Sequence, residues 1–227
     1  MNLNRDTERK LAFVLLFGVL ALVGSAINYS AIIGGPTNQT FTFFQFFGPI
    51  AGGFLGAGLG VAAVLLSELP KYIFQGQVSD PLNILRLLPM LFAAVYFSRQ
   101  HLKLSAAIPA LAMLAFWLSP IGAQVWYYPL IFWTIPLLAP ILPNRLFLKS
   151  LGSTLTAHAV GSVIWLYTVP MTVAQWQTVI PVAIGERLMF ACGISISYLA
   201  VNYVLDKFTV SAKAGFPYVD KKYVMAG

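Results

Sequence analysis

Gly48-Pro-Ile-Ala-Gly-Gly-Phe-Leu-Gly-Ala-Gly-Leu-Gly60 decides how the chain is read. Glycine recurs at positions 48, 52, 56 and 60, one every fourth residue, and Ala57 follows Gly53 at the same spacing. On a helix that spacing lays small residues along one face. In water such a helix is poor, because each interior glycine costs about 1 kcal/mol relative to alanine. In a bilayer the backbone has no water to turn to, so the helix is held by its own hydrogen bonds. A stripe of small residues then lets a neighbouring helix approach closely. Packing alone accounts for the stripe. A phosphate-cradling glycine loop does not fit, since no Lys-Ser/Thr follows and no strand precedes.

The flanks agree. The stretch from Phe41 to Leu69 is apolar, and the 227-residue chain is 59% hydrophobic and 9% charged, with mean hydropathy +0.79. Soluble domains carry about 25% charged residues. Apolar runs of about 20 residues recur, which suits helices rather than the alternating strands of a barrel. The fold class is therefore all-α: one integral membrane domain, residues 1–227, built as a polytopic transmembrane helical bundle of six to eight spans. The formal charge of +7 encodes orientation more than a nucleic-acid partner, because no basic stripe lies on a folded face. The single cysteine, Cys192, excludes an internal disulfide and a multi-cysteine metal site. No cofactor, metal centre or catalytic residue is expected.

Along the chain, the polar residues 1–10 precede a first span from Leu11 to about Ile33, expected to be retained rather than cleaved. Gly34-Gly-Pro-Thr-Asn-Gln-Thr40 is a loop by turn chemistry. Phe41 to Leu69 is long for one span, and Gly48-Pro49 is its expected break. Further spans run from Leu82 to Ser98, Leu104 to Gly122, Leu130 to Leu142, Leu151 to Val169 and Val182 to Leu205. Met171 to Pro181 reads as an uncharged polar loop, and residues 206–227 as a polar tail.

The loops at Arg99–Lys103 and Arg145–Lys149 and the tail are basic, while those near Trp126 and Trp176 are uncharged. Basic loops face the cytoplasm. The tail is then cytoplasmic, and if the chain turns back at Gly48-Pro49 the N-terminus is too. Pro36 to Phe47 would reach about 18 Å as helix, short of the roughly 30 Å apolar core, so this leg needs protein cover or a thin site.

Whether Phe41–Leu69 crosses once or turns back, Glu68, Asn83, Arg86, Glu186 and Arg187 lie toward the outer face, ringed by Trp126, Tyr128, Trp165, Tyr167 and Trp176. Arg86–Glu186 and Glu68–Arg187 are plausible ion pairs. Such charges either fix helix registry, lie at headgroup level, or line a pocket for a small amphipathic or anionic ligand. Asn83, Arg86, Glu186, Arg187 and Glu68 are the candidate ligand contacts, with Trp165 and Trp176 stacking. His158, mid-span among small residues, is expected to pack and bond a neighbouring hydroxyl or carbonyl.

Gly48-Pro49-x-Ala51-Gly52-x-x-x-Gly56 resembles a segment of the substrate-binding S-components of energy-coupling-factor vitamin transporters, where it opens the third helix after a short second one. Ala21-x-x-x-Ser25 is a loose counterpart of the small residues that dock the coupling protein in that family. The resemblance implies capture of a vitamin-like solute from outside, a membrane coupling subunit and separate ATPase subunits. Two other readings stay open: a structural subunit of a larger membrane complex with no ligand of its own, and an intramembrane lipid-modifying enzyme. The enzyme would need His158 at the depth of an acid, and span ends place His158 deeper than Glu68 and Glu186.

Overall fold

A computed structural model describes residues 5–27, 42–74, 84–98, 102–143, 145–209 and 216–223. These residues are helical almost throughout and contain no β-strand. Eight helices follow in order: α1 Arg5–Ala26, α2 Phe44–Phe74, α3 Leu88–Ser98, α4 Leu102–Leu118, α5 Pro120–Gln124, α6 Tyr127–Leu138, α7 Leu146–Thr168 and α8 Val173–Thr209. The fold is all-α, as the apolar runs require. Among the described residues three helices are long and apolar enough to cross a membrane: Thr7–Ala26, Phe44–Leu69 and Val173–Lys207. The loop at 34–40, Asn83 and His101 lie outside the described residues.

The glycine stretch is not one straight helix. Gly56 has φ 80° and ψ 173°, a backbone region that is essentially glycine's alone. There α2 folds into two legs, 44–55 and 57–74. A Cβ placed on Gly60 would lie 2.6 Å from the Cα of Gly52, whereas eight residues of straight helix would separate those positions by about 12 Å. The break expected at Gly48-Pro49 therefore sits two helical turns later. Phe44 to Gly48 is already helical, and Pro49, its sixth residue, leaves the Gln45 carbonyl without its regular helix donor but does not end the helix.

Small residues set the neighbours. A Cβ on Gly48 would meet Met90, one on Gly52 would lie 1.9 Å from the Ala94 carbonyl oxygen, and one on Gly53 would meet Phe97. These contacts advance together, so the first leg runs parallel to α3. On α1, Gly18 faces Ala63 and Leu66 of the second leg, while Gly24 faces Phe43, Phe44 and Phe47 of the first. Ala21 is 2% exposed in the same seam. Ser25 bonds back to the carbonyl of Leu22. Of the residues expected to pack helices, Gly48, Gly52, Gly60 and Ala21 do so, and Gly56 instead makes the bend.

The other helices alternate in direction. Ser153 Oγ donates to the Ala93 carbonyl at 2.7 Å, and Gly152 sits on the ring of Tyr96, which sets α7 antiparallel to α3. Ser195 and Ser150 hydroxyls bond at 2.9 Å, and Arg187 reaches Thr154, so α8 returns against α7. One end of the bundle thus gathers the start of α1, the Gly56 bend and the starts of α4 and α7, with Lys103, Arg145 and Lys149. The end of α8, with Lys207, closes the same end. We call it the basic end. The other, aromatic end carries Trp126, Tyr167 and the start of α8.

At the basic end, part of the polar tail is folded onto the bundle. Phe216 is buried and meets Phe13 edge-on at 5.9 Å. The Tyr218 N–H donates to the Phe54 carbonyl at 2.8 Å, a carbonyl that the bend at Gly56 takes out of regular helix bonding. Buried Asn202 donates to the Asp220 carbonyl and accepts from the Asp220 N–H. Lys221 pairs with Asp206. This strap ties α1, the bend and α8 together.

Candidate functional site

The aromatic half of the bundle has its own core, built from α4, α6, α7 and the first part of α8. The local sequence explains how it closes. Ser119 caps α5, its hydroxyl accepting from the Gly122 N–H at 3.5 Å, and Pro120 occupies the first turn, where its missing N–H costs nothing. A Cβ on Gly122 would lie 1.9 Å from the Phe116 carbonyl oxygen, so glycine permits the tight reversal there. The turn delivers Tyr128 onto Phe116, the rings stacked at 5.5 Å.

Residues 152–162 of α7, Gly-Ser-Thr-Leu-Thr-Ala-His-Ala-Val-Gly-Ser, are mostly small. Their size lets neighbouring helices close around His158. Trp133 Nε1 donates to His158 Nδ1 at 3.3 Å. An indole N–H can only donate, so Nδ1 accepts, and the proton of the neutral ring resides on Nε2. His158 Nε2 then donates to the Tyr128 hydroxyl oxygen, 3.0 Å away. Ser162 lies beside the Tyr128 hydroxyl. Trp133, His158 and Tyr128 form one directed hydrogen-bond chain. The expected hydroxyl partner of His158 is Tyr128, and both ring nitrogens are engaged.

Arg187 adjoins this chain. It is 8% exposed. Its Nη2 donates to Glu186 Oε2 at 3.1 Å and its Nη1 to Thr154 Oγ1 at 3.4 Å, and its guanidinium carbon lies 4.4 Å from the centre of the Phe190 ring. Thr154 is one helical turn from His158 on α7, so the ion pair lies within about 6 Å of the histidine's depth. The span ends misplaced them because Met171–Pro181 is not all loop. α8 begins at Val173 and runs through Pro181, which sets Glu186 roughly 20 Å inside the helix. The signal was available. Thr172 and Gln175 form a capping box, with the Thr172 N–H donating to Gln175 Oε1 at 2.8 Å and the Gln175 N–H to Thr172 Oγ1 at 3.3 Å.

Trp176, in the first turn of α8, is 3% exposed and meets Phe116 and Tyr128 edge-on at 5.2 and 5.1 Å. Trp165 is partly buried and directs its N–H to Met171 Sδ at 2.9 Å. Trp126 and Tyr167 are 57% and 58% exposed. The expected aromatic ring therefore divides: Trp126 and Tyr167 are surface groups, while Tyr128 and Trp176 are core. Glu68 lies in the second leg of α2, six residues before its end and partly buried, and Arg86 is exposed in the turn before α3. Glu186, Arg187, Trp165 and Trp176 thus belong to the lobe that holds Tyr128, Trp133 and His158. The described residues contain no group of three His, Cys, Asp or Glu able to hold a metal ion.

No protein-family model matches the chain. Among curated proteins it is similar to an uncharacterized protein of Methanocaldococcus jannaschii, 25% identical over 201 residues, covering 80% of this chain and 67% of the relative. No solved structure matches it.

Proposed function

We propose that the chain is a multi-pass membrane transport subunit that binds a small, vitamin-like solute from the outer face and works with separate energising subunits. One observation carries this reading: the buried Glu186–Arg187 pair, held by Thr154 beside the Tyr128–His158–Trp133 chain. Ionisable groups inside an apolar bundle are expensive and mark ligand or ion paths. Basic residues gathered at one end support a cytoplasmic position for that end and an outward-facing aromatic end. The short first leg of α2 is a counterpart of the short second helix of energy-coupling-factor S-components, while Gly48-Pro49 lies inside that leg rather than opening the helix after it. A membrane coupling subunit and ATPase subunits would be its partners, beside the lipid bilayer.

Engagement of both His158 nitrogens favours binding over catalysis, since neither is free to take a substrate proton. The intramembrane lipid-modifying enzyme is the second reading, because His158, Ser162, Glu186 and Arg187 lie together. Unchanged lipid turnover by the His158→Ala protein would end it. The test of the first reading is the purified protein against a panel of vitamins. A stabilising or co-purifying compound is the expected result, and its absence overturns the proposal.

A further inference from the structure

We infer that the Trp176 indole N–H is the recognition donor of the aromatic lobe, and that it takes a small flat ring bearing a carbonyl or carboxylate oxygen. The inference rests on the solute-binding reading above and names the chemistry of the solute.

Trp117, Trp133 and Trp165 each place the indole N–H on an acceptor: the Trp126 carbonyl, His158 Nδ1 and Met171 Sδ. The Trp176 Nε1 is buried and has no hydrogen-bond partner. An indole N–H only donates, and a buried donor left without an acceptor is costly enough that folded proteins seldom keep one. Neither acceptor of the neighbouring hydrogen-bond chain bonds it. Tyr128, against which the indole packs, receives the His158 proton, and His158 Nδ1 receives that of Trp133. Deeper in the lobe Glu186 is held by Arg187. A cationic ligand therefore finds its counter-charge occupied, whereas a ligand oxygen completes Trp176. Phe116 and Tyr128 meet the indole edge-on, an aromatic setting that suits a ring. The first turn of α8 places the group at the aromatic end, where a solute arrives from outside.

The experiment uses the detergent-solubilised full chain with nitrogen-15-labelled tryptophan. Of its five indole N–H signals, that of Trp176 is identified by its loss in Trp176→Phe, and benzoate and benzylamine serve as probes of matching shape and opposite chemistry. Benzoate is expected to move the Trp176 signal downfield, as an N–H gaining an acceptor does, and benzylamine to leave it in place. In Trp176→Phe the thermal stabilisation by benzoate is expected to be lost while the other four indole signals stay. A Trp176 signal that answers benzylamine, or answers neither probe, overturns the inference. A vitamin that stabilises the protein without moving this signal also overturns it and leaves the solute-binding reading standing. If no compound of the panel stabilises the protein, the reading on which it rests falls as well.

Discussion

Gly52 and Gly60 touch across the bend at Gly56, so closely that a single Cβ on Gly60 would come within 2.6 Å of the Gly52 Cα. The same Gly52 faces the Ala94 carbonyl of α3. Two helix contacts thus meet at one residue. Gly52→Ala should destabilise the protein by about 3 kcal/mol, the upper end for overpacking, because the obstructing atoms are backbone and cannot rotate away. Gly58→Ala is the control. Nothing lies within 4 Å of its added Cβ, so it should be neutral or stabilising by up to about 1 kcal/mol. Thermal unfolding in detergent separates the two.

The bundle's fold was legible in the sequence because apolar length and loop charge act over whole segments. The position of the bend was not. Gly48, Gly52, Gly56 and Gly60 are identical as letters, and only contacts made far along the chain, with Met90 and Ala94, decide which of them leaves the helix. The site was half legible. Glu186 and Arg187 stood out as rare charges in an apolar run. Their depth was misjudged, since an uncapped reading of Met171–Pro181 started α8 nine residues late, at Val182 rather than Val173. Tyr128 was read as an interface anchor because sequence gives an aromatic residue no sign of which side of a turn it packs on.

The Trp133–His158–Tyr128 chain predicts a coupled loss. Trp133→Phe removes the donor to Nδ1, and His158→Phe leaves the Trp133 N–H and the Tyr128 hydroxyl unmatched. Each orphaned buried group costs about 1–3 kcal/mol. The double variant should therefore lose less than the sum of the two single losses, and denaturation of the four proteins in one detergent measures the coupling. Strictly additive losses would contradict the chain.

Arg187 and Glu186 should behave likewise. Arg187→Met leaves the Glu186 carboxylate without its described partner in an apolar lobe, a change that costs about 3–5 kcal/mol when a buried pair is broken. Pairing it with Glu186→Gln removes the stranded charge and should restore most of the loss. Thermal midpoints in detergent check this.

The strap makes a local prediction. Asn202→Ala removes both bonds to the Asp220 backbone and should raise proteolysis within 216–223. Lys221→Ala should change stability by under about 1 kcal/mol, since its side chain is 73% exposed and exposed ion pairs contribute little. Limited proteolysis followed by mass spectrometry reads both.

Solute binding in the aromatic lobe is the central claim, and native mass spectrometry of the freshly purified chain tests it most directly. The wild-type protein should carry a small molecule, or take one up from a vitamin panel, and Trp176→Phe and the Arg187→Met/Glu186→Gln double variant should carry less of it while remaining folded. A wild-type chain that arrives empty and takes up no compound of the panel would contradict the account.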